Sequence, residues 1–559
     1  MENALTYILI IFLTPVISFL FNALLPITFK NIIVYVSLLM FFISLATSII
    51  ILHTFYNDAN WSFLDWNIFN GLKLIELPII SISDFYIGFG LNFDKLTVFM
   101  LLIINIISFS FHLYLFEHIS DRIKLSSYYS CLSLFIFSIN GIILSNNLFF
   151  TFMFWKIAAF SSFLLINFSH YKNLVTNSFR NVFLNSKLSD LTISFGIIML
   201  YFYSETFSFS KLQFAGIDNT LMTISGALIV LGFIYKTIEI IIFFYVPREM
   251  NFDISIGNLF YAISMLMPIA YLLIRFFPFL TEQVLHILTL IGAIIAFFGS
   301  LIALNQYNLV KIIAYCSISQ LGFIICAIGI GSYLAGFIHL IVCTIFTSCL
   351  FLSFGPVLKT INENLDIRSI SIKKTDAPIT FGIILVSSMS ICGFPLFLGF
   401  LSQNSIVAGA ISYYQNFGEL TFIIPLLIFI SIFITNFYIV RLILLIFFYR
   451  KQPTSSCVGL GQYSYYFAIM ISLLSIFNFA SIFVFPNIDP FNNYGWFYNM
   501  MSRIVPYDTL GYDMYTVTNL IFSSSQKGFI FSIIATLSGA SLAFIRYFSD
   551  SKSFYLKKK

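Results

Sequence analysis

The sequence predicts an all-α, polytopic membrane protein of about fifteen transmembrane helices, and three observations carry that prediction. The 559-residue chain is 59% hydrophobic and only 9% charged, with a mean hydropathy of +0.96. Soluble domains carry about 25% charged residues. Apolar runs long enough to cross a bilayer, about 20 residues each, recur along the chain. They lack the strict alternation of a transmembrane barrel, and backbone groups in hydrocarbon must be satisfied internally, so the spans are helices.

In chain order the apolar runs fall at 5–26, 31–52, 95–116, 127–144, 148–168, 188–204 and 221–245. They continue at 254–275, 283–304, 309–329, 333–357, 378–412, 419–447, 463–485 and 527–547. Two longer polar loops separate them, at 53–94 and at 486–526, the second marked by Pro486, Asp489, Pro490, Asn492 and Asn493. Two spans are expected to be broken. One runs through Lys236 and meets Pro247; the other carries Gly393-Phe394-Pro395 and then Gly399. Proline removes a helix donor and glycine permits bending. Paired breaks roughly 150 residues apart suit two inverted five-helix repeats around a midplane ion path. Ordinary proline kinks are the alternative.

The net charge of +5 is scattered, and the closing Lys557-Lys558-Lys559 reads as an aqueous tail. Nothing points to nucleic acid. The seven cysteines form no CxxC and no His/Cys cluster, which argues against disulfides, zinc or iron–sulfur ligation. No phosphate-cradling glycine loop opens a charged helix, so no bound cofactor is expected. No cleavable signal precedes the first span, so insertion is expected where the chain is made. The 71 Phe, with abundant Ile, Asn and Tyr, resemble the product of an AT-rich genome.

Ionisable residues inside the apolar runs are the candidate functional groups. Lys156 lies within Phe149–Phe168, which holds no other ionisable group. A lysine at such a depth costs about 2.5–3.5 kcal/mol on insertion scales and calls for a partner. Asp190, Lys236, Glu239, Lys311 and His339 recur in later spans and suggest a polar track through the bundle. Glu239 lies one turn beyond Lys236, at i,i+3 on the same face. The expected partner of Lys156 is therefore Glu239 or Asp190, with Lys236 nearby. Snorkelling, or bonding to backbone carbonyls, is the plainer alternative. His112 reads as a hydrogen-bonded helix residue, Arg441 as a packing or carbonyl-capping residue, and His53, His118, His170 and His286 as solvated.

Six segments, in order from about residue 90 to 450, resemble the antiporter-like membrane subunits of respiratory complex I. They are Phe93-Asp94-Lys95-Leu96-Thr97-Val98, Tyr129-Ser130-Cys131-Leu132-Ser133-Leu134-Phe135, and Trp155-Lys156 followed by Ser162–Phe168. The others are Ile313–Ser317 with Ser319-Gln320-Leu321-Gly322, Gly393-Phe394-Pro395 with Gly399-Phe400 and Ser402, and Asn436-Phe437-Tyr438 with Arg441. The resemblance implies a subunit of the H+-translocating NADH:ubiquinone reductase, without redox chemistry of its own, in the mitochondrial inner membrane and organelle-encoded. It implies other complex I membrane-arm subunits as partners, above all a neighbouring antiporter-like subunit, and membrane lipids, cardiolipin among them. It divides the chain into N-terminal spans and a loop at 1–94, repeats at 95–245 and 246–450, and C-terminal spans at 451–559. The family's lateral helix is expected to be reduced or absent, with 527–547 as the anchor.

The resemblance also places the family's proton stations. Asp190, Lys236, Lys311 and His339 match them, whereas Lys156 stands where a glutamate is implied. Tyr261 and Cys343 replace histidines, Asn308 replaces an aspartate, Thr347 a lysine, and Gln403-Asn404 a Lys-Asp pair. Gln, Asn and Thr take up no proton near neutral pH. The expectation is a distal membrane-arm subunit with a silent or degenerate proton channel. A subunit that still pumps by a rerouted path, and a stand-alone cation/proton antiporter, remain open alternatives.

Overall fold

The computed structural model describes residues 2–25, 29–57, 72–82, 85–118, 122–168, 176–212, 219–245, 252–359, 365–370, 372, 378–395, 397–448 and 527–547. Apart from one β-hairpin, the long elements among them are α-helices. Eleven of the described helices are long and apolar enough to cross a membrane. The run 188–204 is the second half of a longer helix whose first half is polar, and 378–412 is cut in two. The expected span 254–275 is helical throughout, within Phe252–Phe276. The expected span 463–485, the loop 486–526 and the question of the lateral helix lie outside the described residues.

The chain divides into two compact units, the first holding residues 1–246 and 271–284, the second most of the remainder. The first unit opens with α1 (Glu2–Leu24) and α2 (Lys30–Asn57). The segment expected as a polar loop continues α2 to Asn57 and then, from Leu72, forms an antiparallel hairpin of β1 (Leu72–Ile82) and β2 (Phe85–Phe93). Its register shifts between Pro78 and Ile80, where proline has no N–H to give the ladder. Asp94 ends β2 and caps α3 (Lys95–His118). The Thr97 amide donates to Asp94 Oδ1 at 2.8 Å, and the Asp94 amide donates to Thr97 Oγ1 at 2.9 Å, a reciprocal cap on two otherwise orphaned donors.

α4 (Arg122–Leu144) packs on α1, where the Ser18 and Ser133 hydroxyls meet at 2.9 Å. Asn147 starts α5 (Leu148–Phe168): its Oδ1 accepts from the Phe150 amide at 2.9 Å, and its Nδ2 donates to the Gly88 carbonyl of the hairpin at 2.5 Å. α6 (Thr176–Ser204), the short α7 (Phe209–Leu212) and α8 (Asn219–Tyr245) follow. α6 and α8 approach closely at Gly232, where a Cβ would lie 2.3 Å from Ile193 Cγ1. α8 is continuous through Lys236, so the first expected break does not occur inside it, and Pro247 lies outside the described residues.

α9 (Phe252–Phe276) ends in the first unit, from Tyr271 onward. The second unit continues with α10 (Glu282–Asn305), α11 (Leu309–Gly329) and α12 (Tyr333–Lys359). Every residue of α11 except Lys311 is buried. Gly292 lets α10 and α11 touch backbone to backbone: a Cβ there would lie 2.3 Å from the Cys326 nitrogen. α13 (Pro378–Ile391) stops at the second expected break, and α14 (Leu398–Phe417) resumes beyond it. Gly393 takes φ +64° in the gap, a backbone conformation that costs glycine nothing. Gly399 sits so close to α13 that a Cβ would fall 1.6 Å from the Ser390 carbonyl oxygen. α15 (Ile423–Phe447) and α16 (Lys527–Tyr547) complete the described unit.

Candidate functional site

In the first unit the expected charged residues close into two ion pairs. Lys156 Nζ, on α5, lies 2.5 Å from Asp190 Oδ2, on α6. Lys236 Nζ, on α8, lies 2.8 Å from Glu239 Oε2 and donates to Ser186 Oγ, on α6, at 3.3 Å. Of the two carboxylates expected for Lys156, Asp190 is the partner and Glu239 serves Lys236. Ser186 and Asp190 are four residues apart on α6, hence on one face, which carries both lysines' partners. The Ser189 hydroxyl ties the same helix to α8 through the Gly232 carbonyl at 2.8 Å.

Burial differs between the pairs. Lys236 and Glu239 are almost wholly enclosed, whereas the Lys156 side chain keeps 36% of its surface exposed, with the ammonium 5.1 Å from the centre of the Phe152 ring. Asp190 Oδ1 is buried and accepts no hydrogen bond from any described residue. The four charges cancel, as burial in a low-dielectric medium requires.

In the second unit His339, on α12, is the centre of a hydrogen-bonded cluster. Its Nδ1 lies 2.9 Å from Ser402 Oγ and its Nε2 lies 3.0 Å from Gln320 Oε1. Cys343, where a histidine is implied, puts its Sγ 3.1 Å from His339 Nε2. Thr347 donates to the Cys343 carbonyl at 2.6 Å, so its hydroxyl is satisfied inside its own helix. Lys311 is half-buried in the first turn of α11. Asn308 caps that helix, its Oδ1 accepting from the amides of Val310 at 3.0 Å and Lys311 at 3.2 Å. The Tyr261 side chain lies outside the described residues.

The break between α13 and α14 leaves helix carbonyls without their usual donors. Neutral amides take them. Gln403 Nε2 donates to the Ile391 carbonyl at 2.9 Å, and Asn436 Nδ2 donates to the Cys392 carbonyl at 2.9 Å. Gly393 makes room: a Cβ there would sit 2.0 Å from Gln403 Oε1. Asn404 is half-buried, and its Oδ1 accepts from no described residue. Pro395 stands in the gap between the helices.

Other expectations are settled by geometry. His112 is buried, its Nδ1 2.7 Å from the Ser108 carbonyl and its ring stacked 3.9 Å from Phe41. Arg441 caps carbonyls, those of Leu304 at 2.6 Å and Gln306 at 2.8 Å. His286, expected in solvent, is a correction: it bonds to the Tyr413 hydroxyl and its ring packs 4.6 Å from Phe417. His53 is exposed; the side chains of His118 and His170 lie outside the described residues. The main omission of the sequence reading is Arg275, which is buried and paired with Asp94. An arginine at the end of an apolar run was itself the signal.

The family model described as NADH:quinone oxidoreductase/Mrp antiporter, TM, matches residues 145–435 of the 559. A second, described as NADH-Ubiquinone oxidoreductase (complex I), chain 5 N-terminus, matches residues 79–129. The chain is 28% identical over 440 residues to the NADH-ubiquinone oxidoreductase chain 5 of Acanthamoeba castellanii, covering 76% of this chain and 64% of that protein. For the chloroplastic NAD(P)H-quinone oxidoreductase subunit 5 of Chara vulgaris the figures are 29% over 486 residues, 82% and 71%. The chain thus spans somewhat less than two thirds of its amoebal relative. Among solved structures, a chain of the membrane-bound sulfane sulfur reductase, an archaeal respiratory membrane complex, superposes with a TM-score of 0.69 at 17% identity, over 96% of this chain and 100% of that one. That likeness shows a shared fold.

Proposed function

The chain belongs to the NADH:quinone oxidoreductase/Mrp antiporter transmembrane family, and on that premise we propose that it is a membrane-arm subunit of a respiratory NADH:quinone oxidoreductase, of the chain 5 type, whose own proton route is closed. It sits in this reading in the mitochondrial inner membrane beside another antiporter-like subunit, while flavin, iron–sulfur and quinone chemistry belong to its partners. The chain itself binds no cofactor.

One observation carries the closed route. At the break, where a lysine is implied, Gln403 holds the Ile391 carbonyl with an amide that takes up no proton. The neighbouring substitutions point the same way. Cys343, Thr347 and Asn308 are each engaged locally, as a contact of His339, a helix back-bond and a cap. In the first unit Lys236 is held by Glu239 on its own helix, a fixed pair that needs no moving partner. Such a subunit contributes scaffold and length to the membrane arm.

The test is purification through a tag on this chain, followed by reconstitution. We expect NADH:quinone activity and flavin- and iron–sulfur-bearing subunits to co-purify. Recovery of the chain without them would instead favour a stand-alone antiporter. The double variant Lys236→Met/Glu239→Gln removes both charges together and so orphans neither. It is expected to leave the protons moved per two electrons unchanged; a drop in that ratio would refute the closed route.

A further inference from the structure

Two side chains of α3 bury polar atoms that no described residue meets. Asn105 is wholly enclosed, and neither its Oδ1 nor its Nδ2 has a hydrogen-bond partner among the described residues. His112 is wholly enclosed as well. A carbonyl only accepts, so the contact with Ser108 fixes a proton on Nδ1, and Nε2 is left without a partner among the described residues. From these atoms we propose that the seam between α2 and α3 holds bound water, one molecule on the Asn105 carboxamide and one on His112 Nε2.

Three ring contacts set the register of the two helices: Tyr35 with Phe116 at 5.8 Å, Phe41 with His112 at 3.9 Å, and Phe42 with Phe109 at 5.7 Å. Residue numbers rise along α2 as they fall along α3, so the helices run antiparallel. Seven residues on from Phe41 is Ser48, and seven back from His112 is Asn105. Seven residues make nearly two turns, so each lies on the face of its starting residue. Asn105 is therefore level with Ser48 across the seam.

The facing side of α2 is rich in serine. Ser37, Ser44 and Ser48 lie at i−4, i+3 and i+7 from Phe41, and all three are buried. Ser44 donates to the Phe41 carbonyl at 2.8 Å and Ser48 to the Leu45 carbonyl at 2.7 Å. A hydroxyl that has given its proton still accepts. A water beside Asn105 accepts from Nδ2 and donates to Oδ1 and to Ser48 Oγ, the set of about three bonds that a buried water ordinarily makes.

Water fits this seam better than other partners do. Asn105 and His112 are roughly 10 Å apart along α3 at 1.5 Å per residue, too far to satisfy each other. Neither side chain reaches the surface, which excludes a larger solute. Serine, asparagine and phenylalanine line the rest of the seam, so an ion would find no counter-charge there. Both helices precede residues 145–435, and the proposal rests neither on the charged pairs nor on the closed route.

The experiment is radiolytic hydroxyl-radical footprinting of the purified protein, in whatever assembly it occupies, in heavy-oxygen water with mass-spectrometric readout. Radicals born from a bound water modify the side chains that touch it. Leu101, one turn from Asn105, is as deeply buried as Phe41 and His112. So is Cys326, which lies in an apolar cluster with Ala293, Ala296 and Ala327. Thiols react faster than phenyl or alkyl groups, which makes Cys326 a stringent dry reference. Leu101, Phe41 and His112 are expected to take up the heavy oxygen several-fold faster than Cys326. Asn105→Leu keeps the branched outline of the side chain; it is expected to lose the label at Leu101 and keep it at Phe41. His112→Phe is expected to lose it at Phe41 and keep it at Leu101. Labelling of all three residues no faster than Cys326 would overturn the proposal, and the wild-type protein alone decides this. So would a label at Leu101 that survives Asn105→Leu, or one at Phe41 that survives His112→Phe.

Discussion

Asp94 and Arg275 are joined across 181 residues of sequence by a buried ion pair, Arg275 Nη1 donating to Asp94 Oδ2. The other carboxylate oxygen of Asp94 accepts the Thr97 amide at 2.8 Å. One side chain therefore starts α3 and anchors the end of α9. The two tasks separate chemically, because capping needs only an oxygen acceptor whereas the arginine needs a negative charge.

Arg275→Met is expected to strand the Asp94 carboxylate in an apolar setting and to cost about 3–5 kcal/mol, the range for breaking a buried pair. Asp94→Asn keeps an acceptor for Thr97 and is expected to cost as much through the unpaired arginine. The double variant Asp94→Asn/Arg275→Met should recover most of the loss. Thermal unfolding of the purified protein, read in a double-mutant cycle, checks the coupling. Additive single effects would show that the pair is incidental.

The Lys156–Asp190 pair is half-open, so its worth is smaller. Lys156→Glu sets two carboxylates against each other and is expected to destabilise by about 1–3 kcal/mol, less than a fully enclosed pair would lose. The exchange Lys156→Asp/Asp190→Lys restores opposite charges and should recover part of the melting temperature. If the exchanged protein melts no higher than Lys156→Glu, the pairing is not what holds α5 to α6.

Two glycines give a matched comparison. At Gly399 a Cβ would overlap the Ser390 carbonyl at 1.6 Å, backbone that has nowhere to go. Gly399→Ala is expected to cost about 3 kcal/mol, at the upper end for overpacking. At Gly382, inside α13, no atom lies within 4 Å of the added carbon. Gly382→Ala is expected to stabilise by about 0.5–1 kcal/mol through helix propensity. Chemical denaturation of both variants, side by side, reads the contrast.

Gln403→Leu leaves the Ile391 carbonyl without its donor and is expected to cost about 1–3 kcal/mol. Gln403→Lys can still donate to that carbonyl and should be better tolerated. Under the closed-route reading, neither changes the proton yield per electron pair in reconstituted vesicles. A rise on Gln403→Lys alone would reveal an otherwise intact path.

The helical class, most spans and the break at Gly393–Pro395 were legible because hydropathy over span-length runs and Gly/Pro punctuation act locally. The hairpin at 72–93 was not. Pro78, Lys73 and Glu76 make β1 read as loop, and its pairing with β2 depends on a partner strand no local pattern names. α6 begins at Thr176, well before the expected 188, because a polar first half carries no hydropathy signal. The candidate residues were legible as misplaced charges, and Asp190 was one of the two partners expected for Lys156. The adjacency of Glu239 to Lys236 was legible in the i,i+3 spacing; choosing Asp190 over Glu239 for Lys156 followed from the approach of α5 to α6, which spacing does not supply. Arg275 escaped because it lies at a span end, where arginines ordinarily reach water.

On the closed-route proposal, Asn308 is a position where a proton station could be lost while the scaffold persists. Its oxygen serves the first amides of α11 as well as a carboxylate would. A gene drifting under pressure to keep the molecule folded would feel no penalty at such a position, whatever became of its traffic in protons. A loss confined to caps and amide clamps would be hidden from any assay of assembly, and only a measurement of ion flux would register it.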